Sequence, residues 1–165
     1  MEHKVLSIYL NDHLAGATFG EDLAWRMARE HKDSAEEGDF RRLAEEVSQD
    51  RLSLLALMRA LRVPARRHKV YSGWAAEKVA RLKPNGRFWR RSGLSTLIEL
   101  ESLRLGIQGK QQLWQALLPV AGELKSLDEV RLHGLLERAT AQMKAVDALH
   151  GTAAQEALSR RVTTG

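Results

Sequence analysis

The stretch that decides the fold is DFRRLAEEVSQDRLSLLALMRALR, residues 39–62. Its apolar residues recur at three- and four-residue spacing, which places them along one side of an α-helix. They are Phe40, Leu43, Val47, Leu54, Leu57 and Leu61. Asp39 is a candidate N-cap, and Val63 before Pro64 should stop the helix because a residue preceding proline avoids the helical region. A helix of this length with one apolar side needs partner helices to cover that side.

Three further segments show the same periodicity, so the chain is predicted to contain four long helices. In order they are helix A, residues 4–31, helix B, residues 39–62, helix D, which follows after Gly93 and reaches about Pro119, and helix E, from Ser126 or Leu127 to about residue 161. Ser95 could cap helix D, which Pro119 should end or kink. Ser126 and Glu129 match a capping box at the start of helix E. Residues 162–165 are expected to fray.

Composition agrees with a single all-α domain covering residues 1–165. The chain has 165 residues, three prolines and no cysteine. The absence of cysteine excludes a disulfide scaffold, thiolate metal ligands and a thiol nucleophile. No apolar run approaches the roughly 18 residues that a membrane span needs, and the N-terminus lacks the layout of a signal peptide. A cytoplasmic protein without a transmembrane helix is therefore expected.

Loop lengths predict how the four helices are connected. The connections A–B and D–E are short, so each pair should form an antiparallel hairpin. The connection from B to D has some 30 residues and contains a short predicted helix C, residues 66–82. A connection of that length can cross the bundle from one end to the other. The expected fold is a four-helix bundle with an extra short helix in this crossover, residues 63–93.

This order of helices resembles the ferritin-like superfamily. The resemblance implies a di-metal centre in the bundle, with a Glu on two helices and Glu-x-x-His on the other two. The chain contains no Glu-x-x-His, and its nearest patterns are Glu46-x-x-x-Asp50 and His133-x-x-x-Glu137. The candidate metal ligands are His13, Glu46, Asp50, Glu101, His133 and Glu137. Oxygen and imidazole ligands would suit iron or manganese.

Asp50 lies on the inward side of helix B, and a buried, unpaired carboxylate costs several kcal/mol. It must therefore bind a metal, pair with a base such as an arginine, or lie near a bundle end in water. His13 lies on the inward side of helix A between Leu10 and Ala17. The sequence leaves these alternatives open.

Positive charge is concentrated in residues 63–93. This segment holds nine basic residues and one acid, within a chain of formal net charge +5. The candidate anion-binding residues are Arg81, Lys83, Arg87, Trp89, Arg90 and Arg91. Basic groups interleaved with aromatic rings suit a nucleic acid or an anionic lipid surface. The alternative is pairing with acidic residues of the protein's own surface.

Small residues interrupt two of the helices. Ala15-Gly16-Ala17 and Gly20 lie on helix A, and Gly106 and Gly109 lie on helix D. A glycine inside a helix costs up to about 1 kcal/mol relative to alanine, so a compensating gain is expected. Close packing of two helices is one compensation, and a gap that admits a ligand or a partner chain is the other.

The sequence favours a non-catalytic bundle that acts through protein or anionic-partner interactions, with a homodimer as one arrangement. The alternative is a ferritin-like metalloprotein that binds iron or manganese for oxidation, storage or hydroxylation. A third hypothesis is a nucleic-acid or membrane-surface binder that uses the basic crossover. No residue pattern marks a catalytic nucleophile, so an enzymatic activity is neither predicted nor excluded.

Overall fold

A computed structural model describes residues 2–66, 93–124 and 126–159 of the chain. These residues form four α-helices and no strand, as the sequence predicts: α1 (Glu2–Glu30), α2 (Glu37–Ala60), α3 (Gly93–Ala121) and α4 (Glu129–Ser159). The predicted helix C and most of the basic crossover lie outside the described residues. Of the four helices, none is long and apolar enough to cross a membrane.

The N-terminal caps differ from those predicted. Asp39 lies within the first turn of α2 and is not its N-cap. Helix α4 begins at Glu129, and the backbone N–H of Arg131 donates to Asp128 Oδ1 at 3.2 Å. Asp128 therefore takes the capping role that the sequence assigned to Ser126. The reason is that the helix starts two to three residues later than the capping-box pattern suggests.

The end of α2 is fixed by a turn that precedes Pro64. Arg62 has a left-handed backbone, with φ of 55°. Its N–H donates to Arg59 O at 3.0 Å, and the N–H of Val63 donates to Met58 O at 2.8 Å. These two bonds form the Schellman arrangement, in which a left-handed residue lets the chain satisfy the last helical carbonyls. The helix ends at Ala60, slightly earlier than expected.

Each pair of helices joined by a short loop forms an antiparallel hairpin. In the first, Trp25 Nε1 donates to Ser48 Oγ at 2.8 Å, and Arg51 Nε donates to Thr18 Oγ1 at 3.1 Å. In the second, α3 packs along α4 more extensively than any other pair of helices packs. The second hairpin covers the apolar side of the first, which produces the bundle.

The core consists of two clusters of buried apolar residues, one in each half of the bundle. The first cluster combines residues of ranges 23–27, 40–47, 97–107 and 139–153. The second combines residues of ranges 10–14, 54–63, 113–121 and 127–135. The early parts of α2 and α3 share one cluster and their late parts share the other, so these helices run parallel. The α2–α3 connection therefore joins opposite ends of the bundle, as the crossover prediction requires.

Candidate ligand cavity

Next to both core clusters, α1, α2 and α3 line a cavity of about 860 Å³ that is partly open to solvent. We call it the central cavity. It is lined by residues of α1 in the range 9–23, of α2 in the range 47–54 and of α3 in the range 102–114. Ligand sites in proteins commonly have volumes of roughly 300–1,000 Å³. The central cavity therefore has the size of a site for one small molecule.

Glycines line the central cavity on two of the helices that form its walls. Gly16 and Gly20 belong to α1, and Gly106 and Gly109 belong to α3. A Cβ atom built on any of these four would have no neighbour within 4 Å in the described part of the chain. Close helix packing therefore does not explain these glycines. Gly134 and Gly151 of α4 have equally open surroundings, so the four are distinguished by their position in the cavity wall. Gly93 is different, because its Cβ would lie 3.0 Å from the Cβ of Ala157.

Asp50 lines the central cavity and is 2% exposed, and we call the part of the cavity around Asp50 and Lys110 its inner end. Its Oδ2 contacts the ammonium of Lys110 and accepts a hydrogen bond of 2.9 Å from Gln142 Nε2. Its Oδ1 forms an ion pair with the guanidinium of Arg138. Lys110 also donates to Gln142 Oε1 at 2.5 Å. Of the alternatives left open by the sequence, the structure shows Asp50 paired with bases.

Burial affects the ionisation of two groups that line the cavity. It lowers the pKa of the Lys110 ammonium, and the neighbouring Asp50 carboxylate partly offsets this effect. Burial also lowers the pKa of His13 below its ordinary value of 6.5, against an opposing influence from Asp12. The His13 ring packs edge-on against Tyr9, with ring centroids 4.7 Å apart. A desolvated imidazole of this kind favours the neutral form.

Three buried polar atoms in or beside the cavity lack a hydrogen-bond partner among the described residues: Trp114 Nε1, Arg138 Nε and Asp50 Oδ1. Trp114 lines the cavity and is 0% exposed, and its Nε1–H has no acceptor among the described residues. Arg138, which lies beside the cavity and not in its lining, has its Nε buried without an acceptor in this part of the chain, and Asp50 Oδ1 has its ion pair with Arg138 but no hydrogen bond. Lys110 carries three N–H groups and uses them on two partners, Asp50 and Gln142. Such unmet donors are costly in a protein interior unless a ligand or water supplies acceptors.

The six predicted metal ligands are spread over several environments. His13 lies in the wall of the cavity, and Asp50 already pairs with Lys110 and Arg138. Glu101 lies 3.2 Å from His150 in an exposed pair. The other three are Glu46, which is half-buried on α2, and His133 and Glu137, which are exposed on α4.

Within ranges 2–66, 93–124 and 126–159, no three His, Asp or Glu side chains are grouped so that they could hold a metal ion. Both oxygens of Asp50, the most buried of the predicted ligands, face cationic side chains. Cations in that position compete with a metal ion for the carboxylate. The described residues thus show no grouping of the kind that a di-metal centre needs, and the metal site stays a prediction from the sequence alone.

The predicted anion-binding residues, Arg81, Lys83, Arg87, Trp89, Arg90 and Arg91, lie outside the described residues. Their binding to a nucleic acid or to anionic lipid therefore stays a prediction. A titration with each anionic partner at two salt concentrations tests it, since binding through phosphate contacts weakens steeply as salt rises.

The inward position of Asp50 was predicted, with an arginine as one possible partner, whereas Lys110 and Gln142 were not predicted. Lys110 lies three residues after Ile107 and four before Trp114, both buried on the inward side of α3. Gln142 holds the equivalent position between Ala139 and Val146 on α4. The same spacing places these two polar residues on the inward sides of their helices, which makes them candidates for contact with Asp50 but does not show that they reach it.

Comparison of the chain with models of protein families, with curated proteins and with solved structures finds no match. The function is therefore inferred from the central cavity and the residues around it.

Proposed function

We propose that this protein is a non-catalytic bundle that binds one small, mainly apolar molecule in the central cavity. Such a protein would act as a carrier or a sensor of its ligand. The proposal also assigns the fold to the ferritin-like type. Support for that assignment comes from the two antiparallel hairpins and from a connection that joins opposite ends of the bundle.

The glycines of the cavity carry the proposal. Each glycine in a helix interior costs roughly 0.5–1 kcal/mol relative to alanine. Four of them line one cavity on two helices that face each other, and the space beyond each is open. Side chains at Gly16, Gly20, Gly106 and Gly109 would add helix stability and fill the cavity. Keeping the cavity open for a ligand accounts for the helix stability that is lost at these four glycines.

The polar residues of the cavity favour binding over catalysis. Asp50 is held by Lys110 and Arg138, so its carboxylate is a poor candidate for a general base. Arg51 is paired with Glu21 at 3.3 Å. Much of the remaining lining is apolar or small, as in sites that recognise a ligand chiefly by its shape and apolar surface. Examples are Phe19, Leu103 and Ile107.

A neutral fluorescent probe tests the proposal. N-phenyl-1-naphthylamine, whose emission rises in apolar surroundings, should bind the protein saturably at one site. Gly109→Leu should weaken this binding at least about tenfold, because a leucine projecting into the cavity takes the space of the probe. Equilibrium titrations of wild type and variant measure the effect.

Gly134→Leu is the matched control, because Gly134 is an exposed interior residue of α4 and does not line the cavity. Both variants replace a helical glycine, so each should raise the free energy of unfolding by about 0.5–1 kcal/mol. Gly134→Leu should bind the probe as wild type does. Absence of saturable binding to wild type, or full binding by Gly109→Leu, would contradict the proposed function.

A further inference from the structure

We propose that the molecule bound in the central cavity is an amphipathic monocarboxylate, whose carboxylate binds Lys110 at the inner end while its apolar part lies between α1 and α3. This inference rests on the proposed function, because it names the class of ligand that the same cavity takes. It follows from the donors, the charges and the apolar surface around Lys110.

The first observation is the unused hydrogen-bonding capacity of Lys110. An ammonium has three N–H donors and no acceptor. The described residues supply acceptors for two of them, Asp50 Oδ2 and Gln142 Oε1. Lys110 also lines the cavity, and its side chain is only 13% exposed. A ligand with an acceptor at this end would complete its bonding in a place that bulk water reaches poorly.

A second, independent observation comes from Trp114. This residue is fully buried and lines the same cavity four residues after Lys110, which is one helical turn along α3. Its Nε1–H finds no acceptor among the described residues. Buried tryptophan N–H groups usually have a partner. Two neighbouring positions of one helix therefore call for an acceptor that the described chain does not provide.

The charges around the inner end favour an anion over a neutral acceptor. The single carboxylate of Asp50 meets two cations, Lys110 and Arg138. Glu46 also acts on Lys110 through its charge, but it makes no ion pair there. Asp12 is exposed, and Arg51 is neutralised by Glu21. Asp50 shares its carboxylate between Lys110 and Arg138, so a ligand carboxylate would give Lys110 an anionic partner of its own, and charge-assisted hydrogen bonds are the stronger ones.

The apolar residues that line the cavity indicate the chemistry of the rest of the ligand. Phe19, Leu103, Ile107 and Leu113 line the cavity, and the glycines leave its walls smooth. An aliphatic chain or an aromatic ring system would bury its surface there, with a gain of roughly 25 cal/mol per Å² of apolar area. A medium-chain fatty acid combines such a body with one carboxylate.

Competition against N-phenyl-1-naphthylamine tests the head group at pH 7.5. The competitors are decanoate, 1-decanol and decylamine, which share a ten-carbon chain and differ in the polar end. Decanoate should displace the probe at a concentration at least about tenfold lower than decanol, because a hydrogen bond to a charged group contributes about 1.5–3 kcal/mol. Decylamine, which places a second cation beside Lys110, should be the weakest.

In Lys110→Met the ratio of decanol to decanoate concentrations needed to displace the probe should fall to about one, whatever the affinity of this variant for the probe itself. Lys144→Met, at an exposed lysine of α4, is the control and should keep the preference for decanoate. Equal potency of decanoate and decanol on wild type, or an unchanged preference in Lys110→Met, would overturn the carboxylate assignment and leave the proposed function intact. If the probe itself does not bind wild type, both the function and this inference fail.

Discussion

Asp50 shows how one buried carboxylate is stabilised in the middle of a bundle. It belongs to α2, whereas its partners Lys110, Arg138 and Gln142 belong to α3 and α4. Taking a charged pair out of water is expensive, and breaking such a pair by removing one partner costs more than replacing both partners. The contribution of each residue therefore depends on whether its partners remain.

Removing the carboxylate alone should be strongly destabilising. Asp50→Ala leaves Lys110 and Arg138 without their counter-charge, and we expect the free energy of unfolding to fall by about 3–5 kcal/mol. Lys110→Met should cost less, since Arg138 and Gln142 still hold Asp50. The double variant should be less destabilised than the sum of the two, by about 0.5–3 kcal/mol. Urea denaturation of the four proteins measures this, and strict additivity would contradict the coupling.

His13 should make the stability depend on pH. Its pKa in the folded state is lowered by burial, so the unfolded chain binds more protons below pH 6.5. The free energy of unfolding should therefore fall as the pH is lowered from 7.5 to 5.5, and His13→Gln should make this decrease smaller. Urea midpoints at the two pH values report the difference, with His133→Gln on the exposed face of α4 as control. An identical decrease in wild type and His13→Gln would argue against the burial of His13.

At the scale of single helices, Ser126 and Asp128 are two candidate N-caps of α4, and substitutions distinguish between them. Asp128→Ala removes the acceptor for the Arg131 N–H, and we expect a loss of about 1 kcal/mol in the free energy of unfolding. Ser126→Ala should change it by less than about 0.5 kcal/mol, because Ser126 lies before the helix. Thermal or urea denaturation compares the two. A larger loss in the free energy of unfolding for Ser126→Ala than for Asp128→Ala would support the predicted capping box of Ser126 and Glu129.

The helices themselves were predictable because their apolar spacing follows the helical period over many residues. All four were found with ends within a few residues of those observed. The ends were less predictable, since several polar residues can cap the same helix and only the final geometry chooses among them. Arg62 is an example, because nothing about an arginine indicates a left-handed backbone.

The candidate site was predicted only in part. The small residues on α1 and α3 raised the possibility of a gap, and the inward position of Asp50 required a partner. The spacing could not show which bases reach Asp50, because that depends on the rotation of α3 and α4 about their axes. It also could not show that the glycines face open space rather than a neighbouring helix.

The whole molecule divides into two apolar clusters, and the central cavity lies next to both of them. Contacts are densest between α3 and α4 and fewer between α1 and α3, where the cavity lies. Regions with few buried apolar contacts open locally at lower free energy. Backbone amides that line the cavity, in the middle of α1 and on the facing side of α3, should therefore be less protected than those of α4, which does not line it.

Hydrogen exchange measures this difference. Backbone amides in ranges 15–20 and 106–109 should exchange faster than those of range 139–146, because the former line the cavity and the latter lie on α4 outside it. Saturation with decanoate should slow exchange in the first two ranges more than in the third, which serves as the internal reference. Equal rates in all three ranges without ligand would contradict a loosely packed centre.

The connection between opposite ends of the bundle has a consequence for how the molecule could be divided. Cleavage of the chain between residues 66 and 93 would leave two fragments of similar length, each of them one helical hairpin. Each hairpin would expose one side of both core clusters, so the halves would be complementary in shape. Asp50 would belong to one fragment, and Lys110, Arg138 and Gln142 to the other. The buried charges would then act as a recognition element between fragments, and they would disfavour the pairing of two identical halves.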